Sequence, residues 1–292
     1  MRFVITGSRG LLGRYVTDYI RRQSHDLLEV DIVGRGDPDR NYRVADLTDL
    51  GQTYDVVCGA EAVIHLAAIP DQRMAPAVKT FIDNLSMTYN VLFAAAQLGV
   101  KRVVIASSIQ VLQTSFNERP IRYLYLPADE EHPIDPQNEY ALSKAAGELA
   151  ADLFARCRGL TVVSLRFPWI VPPDEPTRSA RLKIDWNDTH SSLVVQYVDA
   201  RDAARACFLA ATTALPPNSH HVLYIAAPDT CVDTPSSEIA RRLYPEAEVR
   251  PELRGFASFV SSRRAAQVLG FVAEFGWQAG RPFTSEGAAG AG

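Results

Sequence analysis

Thr6-Gly7-Ser8-Arg9-Gly10-Leu11-Leu12-Gly13 spells TGxxGxxG. The apolar run Phe3–Thr6 leads into it and the amphipathic stretch Leu11–Arg22 leads out, so the glycines sit where a strand becomes a helix. Each glycine has a task there. Gly7 permits the tight turn, Gly10 lets the backbone amides around Arg9, Gly10 and Leu11 approach a pyrophosphate at the helix N-terminus, and Gly13 lets helix pack closely on strand. The pattern predicts a dinucleotide site; the bland alternative is a glycine-rich turn with no ligand. Asp31 lies toward the end of the next apolar run, Leu27–Val33, where a carboxylate accepts hydrogen bonds from the adenosine ribose hydroxyls. That favours NAD, because a 2′-phosphate would meet a like charge, although Arg35 offers a counter-charge for NADP.

Outward from this stretch, apolar runs alternate with helical patterns. Strands are expected at Phe3–Thr6, Leu27–Val33, Ala62–Leu66, Arg102–Ala106 and Thr161–Arg166, mostly continuous apolar runs as in a sheet buried on both faces. Helices are expected at Leu11–Arg22, Pro76–Leu98 with Gly99 as its stop, and Glu139–Arg158. The fold class is α/β, a Rossmann-type doubly wound parallel sheet with a small mixed C-terminal substrate lobe. The expected domains are 1–166 for the cofactor, 167–280 for the substrate lobe, with elements returning to the core, and 281–292 as a disordered tail. Pro168, Pro172, Pro173 and Pro176 make the start of the lobe a loop. Beyond it come a strand at Leu193–Tyr197, a helix from Asp199, a strand at Val222–Ile225, and helices near Ser236–Leu243 and Ser261–Leu269.

Tyr140-Ala141-Leu142-Ser143-Lys144 reads YxxxK on an expected helix, placing Tyr and Lys on one face. Ser107 and Ser108 end a strand upstream, and a polar, proline-marked loop with Asp129, Glu130, Pro133 and Pro136 leads into the Tyr helix. Together with TGSRGLLG, Asp31, His65-Leu66-Ala67-Ala68 and Asn84, in this order, the sequence resembles the extended short-chain dehydrogenase/reductases, the epimerase/dehydratase family. The resemblance is strong over about residues 1–170. It implies NAD as cofactor, with Tyr140 as proton acceptor and Lys144 holding the nicotinamide ribose and favouring the phenolate. It aligns Ser108 with the serine that hydrogen-bonds the reacting hydroxyl, Ser107 remaining the alternative, and Asn84 with the family's helix asparagine. It also implies that Leu66, Ala67, Ala68 and Pro168 line the cofactor and that Asp46 and Leu47 touch adenine, though a helix cap at Asp46 or Thr48 explains that pair as well. The same resemblance is the ground for expecting a homodimer through the helices Pro76–Leu98 and Glu139–Arg158.

The sequence departs from the nucleotide-sugar enzymes after Phe167, where Trp169 replaces an asparagine that holds the substrate diphosphate, and at Val195, the nearest match to a phosphate-binding arginine. The short stretch from Pro172 to Val195 more resembles the compact uronate dehydrogenases, although their asparagine after the serine is Ile109 here. Arg178, Arg181 and Arg73 are candidate anchors for a substrate carboxylate, each with a solvated surface charge as its alternative. The expected function is NAD-linked hydride transfer at a secondary hydroxyl of a sugar, sugar acid or similar polyol. The alternatives are a nucleotide-sugar epimerase or dehydratase and a non-catalytic dinucleotide sensor, the last disfavoured by the retained serine, tyrosine and lysine.

Composition fits this reading. With 30 basic and 34 acidic residues interleaved, the chain lacks the electrostatic footprint of a nucleic-acid or membrane-surface binder. Four cysteines, Cys58, Cys157, Cys207 and Cys231, and the histidines show no metal-ligand spacing, and His65 reads as a hydrogen-bonded core or cofactor-lining residue. No leader or membrane-length apolar run is apparent, so a cytoplasmic enzyme with no metal is expected.

Overall fold

The computed structural model describes residues 1–34, 39–70, 74–112, 118–184, 186 and 195–277. Arg35, Arg73 and the tail 281–292 lie outside them. The first elements are β1 (Arg2–Thr6), α1 (Leu11–Arg22), β2 (Asp26–Asp31), β3 (Tyr42–Val44), α2 (Leu50–Val57), β4 (Ala62–His65), α3 (Ala77–Gln97) and β5 (Arg102–Ser108). There follow β6 (Tyr125–Leu126), α4 (Glu139–Arg158), β7 (Thr161–Phe167), β8 (Trp169–Val171), β9 (Tyr197–Asp199) and α5 (Ala200–Thr212). The last are β10 (His220–Tyr224), α6 (Ser236–Leu243), β11 (Glu248–Val249) and α7 (Arg263–Leu269).

Seven strands form one sheet in the order β10-β7-β5-β4-β1-β2-β3. β1 pairs in parallel with both β2 and β4, so the strand order reverses between β1 and β4. In such a sheet the carboxyl ends at the reversal open a crevice for a ligand. Both bounding strands end there, at Thr6 and His65, which face each other in register. The core behind them is aliphatic, with Val4, Val30, Val63, Val91, Leu92 and Val103 buried. Helix ends follow local chemistry: Gly99 and Gly159 take positive φ past α3 and α4, and Asn138 caps α4 by accepting from the Ala141 amide at 2.8 Å.

The chain divides into two units, neither contiguous. One comprises 1–108, 138–166 and 204–222; the other comprises 109–137, 167–203 and 223–292. One crossing falls at Arg166–Phe167, and the chain also crosses after Ser108, Gln137, Ala203 and Val222.

Some expectations are corrected. β2 stops at Asp31 because the Asp31 side chain accepts the Val33 amide at 3.2 Å and bends the chain, leaving Ile32 and Val33 exposed. The proline-rich stretch is not all loop, since β8 fits between Pro168 and Pro172 and pairs with β9 in a two-stranded sheet, whose open edges tolerate prolines nearby. β9 begins at Tyr197, where the expected strand was to end. β3 and α2 were not assigned: β3 is a three-residue edge strand with two exposed positions, and α2 has only eight residues.

Candidate active site

The glycine stretch forms a cradle with little spare space. Gly7 has φ +67°, and a Cβ there would lie 2.7 Å from the Ala67 nitrogen, so the loop after β1 presses against the loop after β4. A Cβ on Gly13 would lie 2.1 Å from the Gly7 carbonyl oxygen, which explains the glycine at the helix–strand contact. The intrahelical ladder of α1 starts with the Arg14 amide on the Gly10 carbonyl at 3.2 Å. The amides of Leu11, Leu12 and Gly13 precede that ladder and aim out of the helix N-terminus, where the dipole favours a phosphate. Asp31 accepts the Arg9 amide at 2.9 Å through Oδ2 and the Val33 amide through Oδ1. Each oxygen keeps a further lone pair for a ribose hydroxyl, and Ser8 Oγ is buried in the same loop without a hydrogen-bond partner. A dinucleotide fits this cradle.

Behind the cradle, Thr6 Oγ1 accepts the Leu66 and Ala67 amides at 3.2 and 3.3 Å and lies 2.8 Å from His65 Nδ1. Because that oxygen already accepts twice, its proton goes to Nδ1, which leaves Nε2–H to donate to Thr88 Oγ1 at 3.3 Å. Burial, with the Lys144 charge adding to it, pulls the His65 pKa down to about 3. His65 is therefore a neutral strut. Leu66, Ala67 and Ala68 are half-buried on this loop. Asn84 accepts the Ile69 amide at 2.7 Å and donates to the Ile69 carbonyl and to Ser143 Oγ, tying α3 to the same segment. Asp46 accepts from Thr48, while the α2 cap is Asp49, so neither candidate cap holds that helix. Leu47, the other residue of the expected adenine-contacting pair, packs its side chain into the core with residues of β1 and β2.

On α4, Tyr140 is half-buried and the Lys144 ammonium lies 5.5 Å from its ring centre. Lys144 Nζ donates to the Ala106 carbonyl at 2.9 Å, which brings the helix to the end of β5. Burial draws the Lys144 pKa down to about 8, and the Glu148 carboxylate opposes that fall. Ser108, two residues past Ala106, is buried at the strand end. Ser107 is already engaged, donating to Glu148 Oε1 at 2.6 Å. Glu148 in turn receives Arg166 Nε at 2.9 Å and Nη2 at 2.8 Å. Sequence reasoning missed this group. The i, i+4 spacing from Lys144 to Glu148 was its only local signal.

The remaining candidates belong to the other unit. Ile109 is buried at the start of a short 3-10 turn, Pro168 is buried, and Trp169 is half-buried on β8 with its ring 5.6 Å from Trp277. Two expected anchors are corrected. Arg178 is only 2% exposed and donates to Asp199 at 2.6 Å and to the carbonyls of Pro172, Gly276 and Trp277, so it holds its own unit together. Burial alone would raise the Asp199 carboxyl, but Arg201 and Arg178 hold it below the usual range. Arg181 pairs with Asp229 at 2.8 Å, donates to the Thr230 carbonyl and stacks over Phe256. A guanidinium with these partners is not a free carboxylate receptor.

The chain is similar to several known proteins. The uronate dehydrogenase of Pseudomonas syringae pv. tomato is 28% identical over 191 residues, 64% of this chain and 66% of that protein. The L-arabinose 1-dehydrogenase (NAD(P)(+)) of Haloferax volcanii is 28% identical over 78% of this chain and 89% of its own. A putative UDP-glucose 4-epimerase of Methanocaldococcus jannaschii is 27% identical over 56% of this chain and 54% of its own. Among solved structures, a short-chain dehydrogenase/reductase superfamily protein from Agrobacterium tumefaciens with bound NAD shares the fold at a TM-score of 0.73 and 23% identity, covering 96% of this chain and 94% of that one. A profile of the NAD dependent epimerase/dehydratase family matches residues 3–223, from β1 into β10, and the chain belongs to that family, with NAD as its cofactor.

Proposed function

We propose that the chain is an NAD-dependent dehydrogenase acting on a secondary hydroxyl of a sugar, sugar acid or similar polyol, with Tyr140 as the proton acceptor. The observation that carries this reading is the arrangement of Tyr140, Lys144 and the end of β5, where Lys144 is fixed on Ala106 and Ser108 follows. A free tyrosine titrates near ~10, so a phenolate at neutral pH requires about 4 kcal/mol of preferential stabilisation. Lys144 contributes through its charge, in a half-buried setting where that charge is weakly screened. Ser108 holds the substrate oxygen while Tyr140 takes its proton. When bound, NAD supplies the hydride acceptor; Asp31 holds its adenosine ribose and Lys144 its nicotinamide ribose. Asn84 acts indirectly, by fixing Ile69 and the segment that lines the cofactor.

A substrate without a nucleotide is favoured because Trp169 and Val195 stand where the family resemblance would put an asparagine and an arginine that hold the diphosphate, and an unpaired diphosphate is costly to bury. With Arg178 and Arg181 engaged elsewhere, the candidates for a carboxylate receptor named from the sequence reduce to Arg73. The test is a panel of D-glucuronate, D-galacturonate, L-arabinose, glucose 6-phosphate and UDP-glucose with NAD, followed by absorbance of the reduced cofactor and NMR of the products. Net NAD reduction with a free sugar or sugar acid is expected. Conversion of UDP-glucose without net reduction would instead make the chain an epimerase.

The proposed assembly is a homodimer. Val78, Ile82 and Tyr89 on α3 and Leu142, Leu149 and Leu153 on α4 are exposed apolar side chains at helical spacing, a face that suits a second copy. Sedimentation at micromolar concentration should give twice the chain mass, and a monomer contradicts this.

A further inference from the structure

α4 carries three polar side chains in one line. Tyr140, Lys144 and Glu148 are spaced by four residues and share a helix face. The proposed reaction uses the first two and leaves Glu148 without a role, yet Glu148 is a carboxylate only 8% exposed. Its position is fixed from two strands: Ser107 on β5 donates to Oε1, and Arg166 on β7 forks across both oxygens. Apolar side chains of similar volume would fasten a helix to a sheet at least as well as a buried ion pair. A charge held this rigidly, one turn from Lys144, calls for another explanation. We infer that Glu148 is a positioning residue for the Tyr140–Lys144 pair, its carboxylate held in place by Ser107 and Arg166 so that Lys144 stays an ammonium. The inference rests on the reading of that pair as the proton-transfer machinery.

The surroundings of Lys144 support it. On β4, His65 faces Lys144 as a neutral ring and offers no counter-charge. β5 contributes the Ala106 carbonyl, a hydrogen-bond acceptor without formal charge, and α3 presents the uncharged Asn84 and Thr88 to this layer. Arg166 on β7 and His220 on β10 lie on the Glu148 side, where Arg166 pairs with Glu148 and both charges act on His220. Burial works against the Lys144 charge, and Glu148 is the group that sustains it.

The chain has four lysines, Lys79, Lys101, Lys144 and Lys183, so 13C-labelled lysine side chains can be followed by NMR through a pH titration, with Lys144→Arg assigning the Lys144 signal. Replacing Glu148→Gln together with Arg166→Met removes both charges and leaves neither buried alone. In that variant the Lys144 midpoint should fall by about one pH unit or more, toward neutrality. An unchanged midpoint overturns the inference. If the double variant does not fold, Glu148→Asp carries the test by drawing the charge back one methylene; a smaller fall in the same direction is expected, and no fall overturns the inference. Failure of the underlying reading looks different, since Tyr140→Phe would then turn over normally while the Lys144 midpoint still depended on Glu148.

Discussion

Both units contain a carboxylate buried against a buried arginine, Glu148 with Arg166 in one and Asp199 with Arg178 in the other, and the two pairs do different work. Glu148, paired with Arg166 on β7, lies one helical turn from Lys144. Asp199 and Arg178 lie in the other unit, where Arg178 also gathers the carbonyls of Pro172, Gly276 and Trp277 and so binds segments about a hundred residues apart. A buried arginine thus says little about ligands until its partners are counted. The same residue type serves a site in one unit and architecture in the other.

The comparison can be broken most sharply at Arg178. Arg178→Ala leaves Asp199 with the half-exposed Arg201 and strands several carbonyls, so it should lower unfolding free energy by about 3–5 kcal/mol in a denaturant titration. A variant of unchanged stability that instead raised KM for an acidic sugar would return Arg178 to the substrate. A smaller effect is expected at His65. Its folded pKa, about 3, lies below the unfolded value near ~6.5, so between these values the unfolded chain binds the extra proton and stability falls as pH falls. From neutrality to pH 5 this contributes a loss of about 2 kcal/mol, which His65→Gln should largely remove. Equal pH slopes for the two proteins would mean that His65 is not held neutral.

What could be read in advance follows the same division. The placement of the Gly7–Gly13 stretch between β1 and α1, of Asp31 at the end of β2 and of Tyr140 and Lys144 on α4 was legible because it follows from local spacing, and α1 and α4 fall at the bounds their periodicity predicts. The engagement of Ser107 could be seen only in the fold, since its partner Glu148 lies 41 positions away. Arg178 and Arg181 looked available because their partners, Asp199 and Asp229, are distant in sequence and nothing local announces the pairing. The burial of the Leu47 side chain was hidden for a related reason: an apolar residue beside a polar turn gives no sign of which way it faces until α2 and α3 are packed.

The central claim is that Tyr140 takes the substrate proton in a site whose cofactor cradle is built separately, by the glycine loop and Asp31. Turnover and cofactor affinity measured side by side for Tyr140→Phe test it directly. Removing the hydroxyl should cut kcat by about 100-fold or more, as loss of a general base does, while NADH affinity from fluorescence titration stays within about twofold. Turnover near that of the unmodified protein, with the same substrate and pH, would contradict the account.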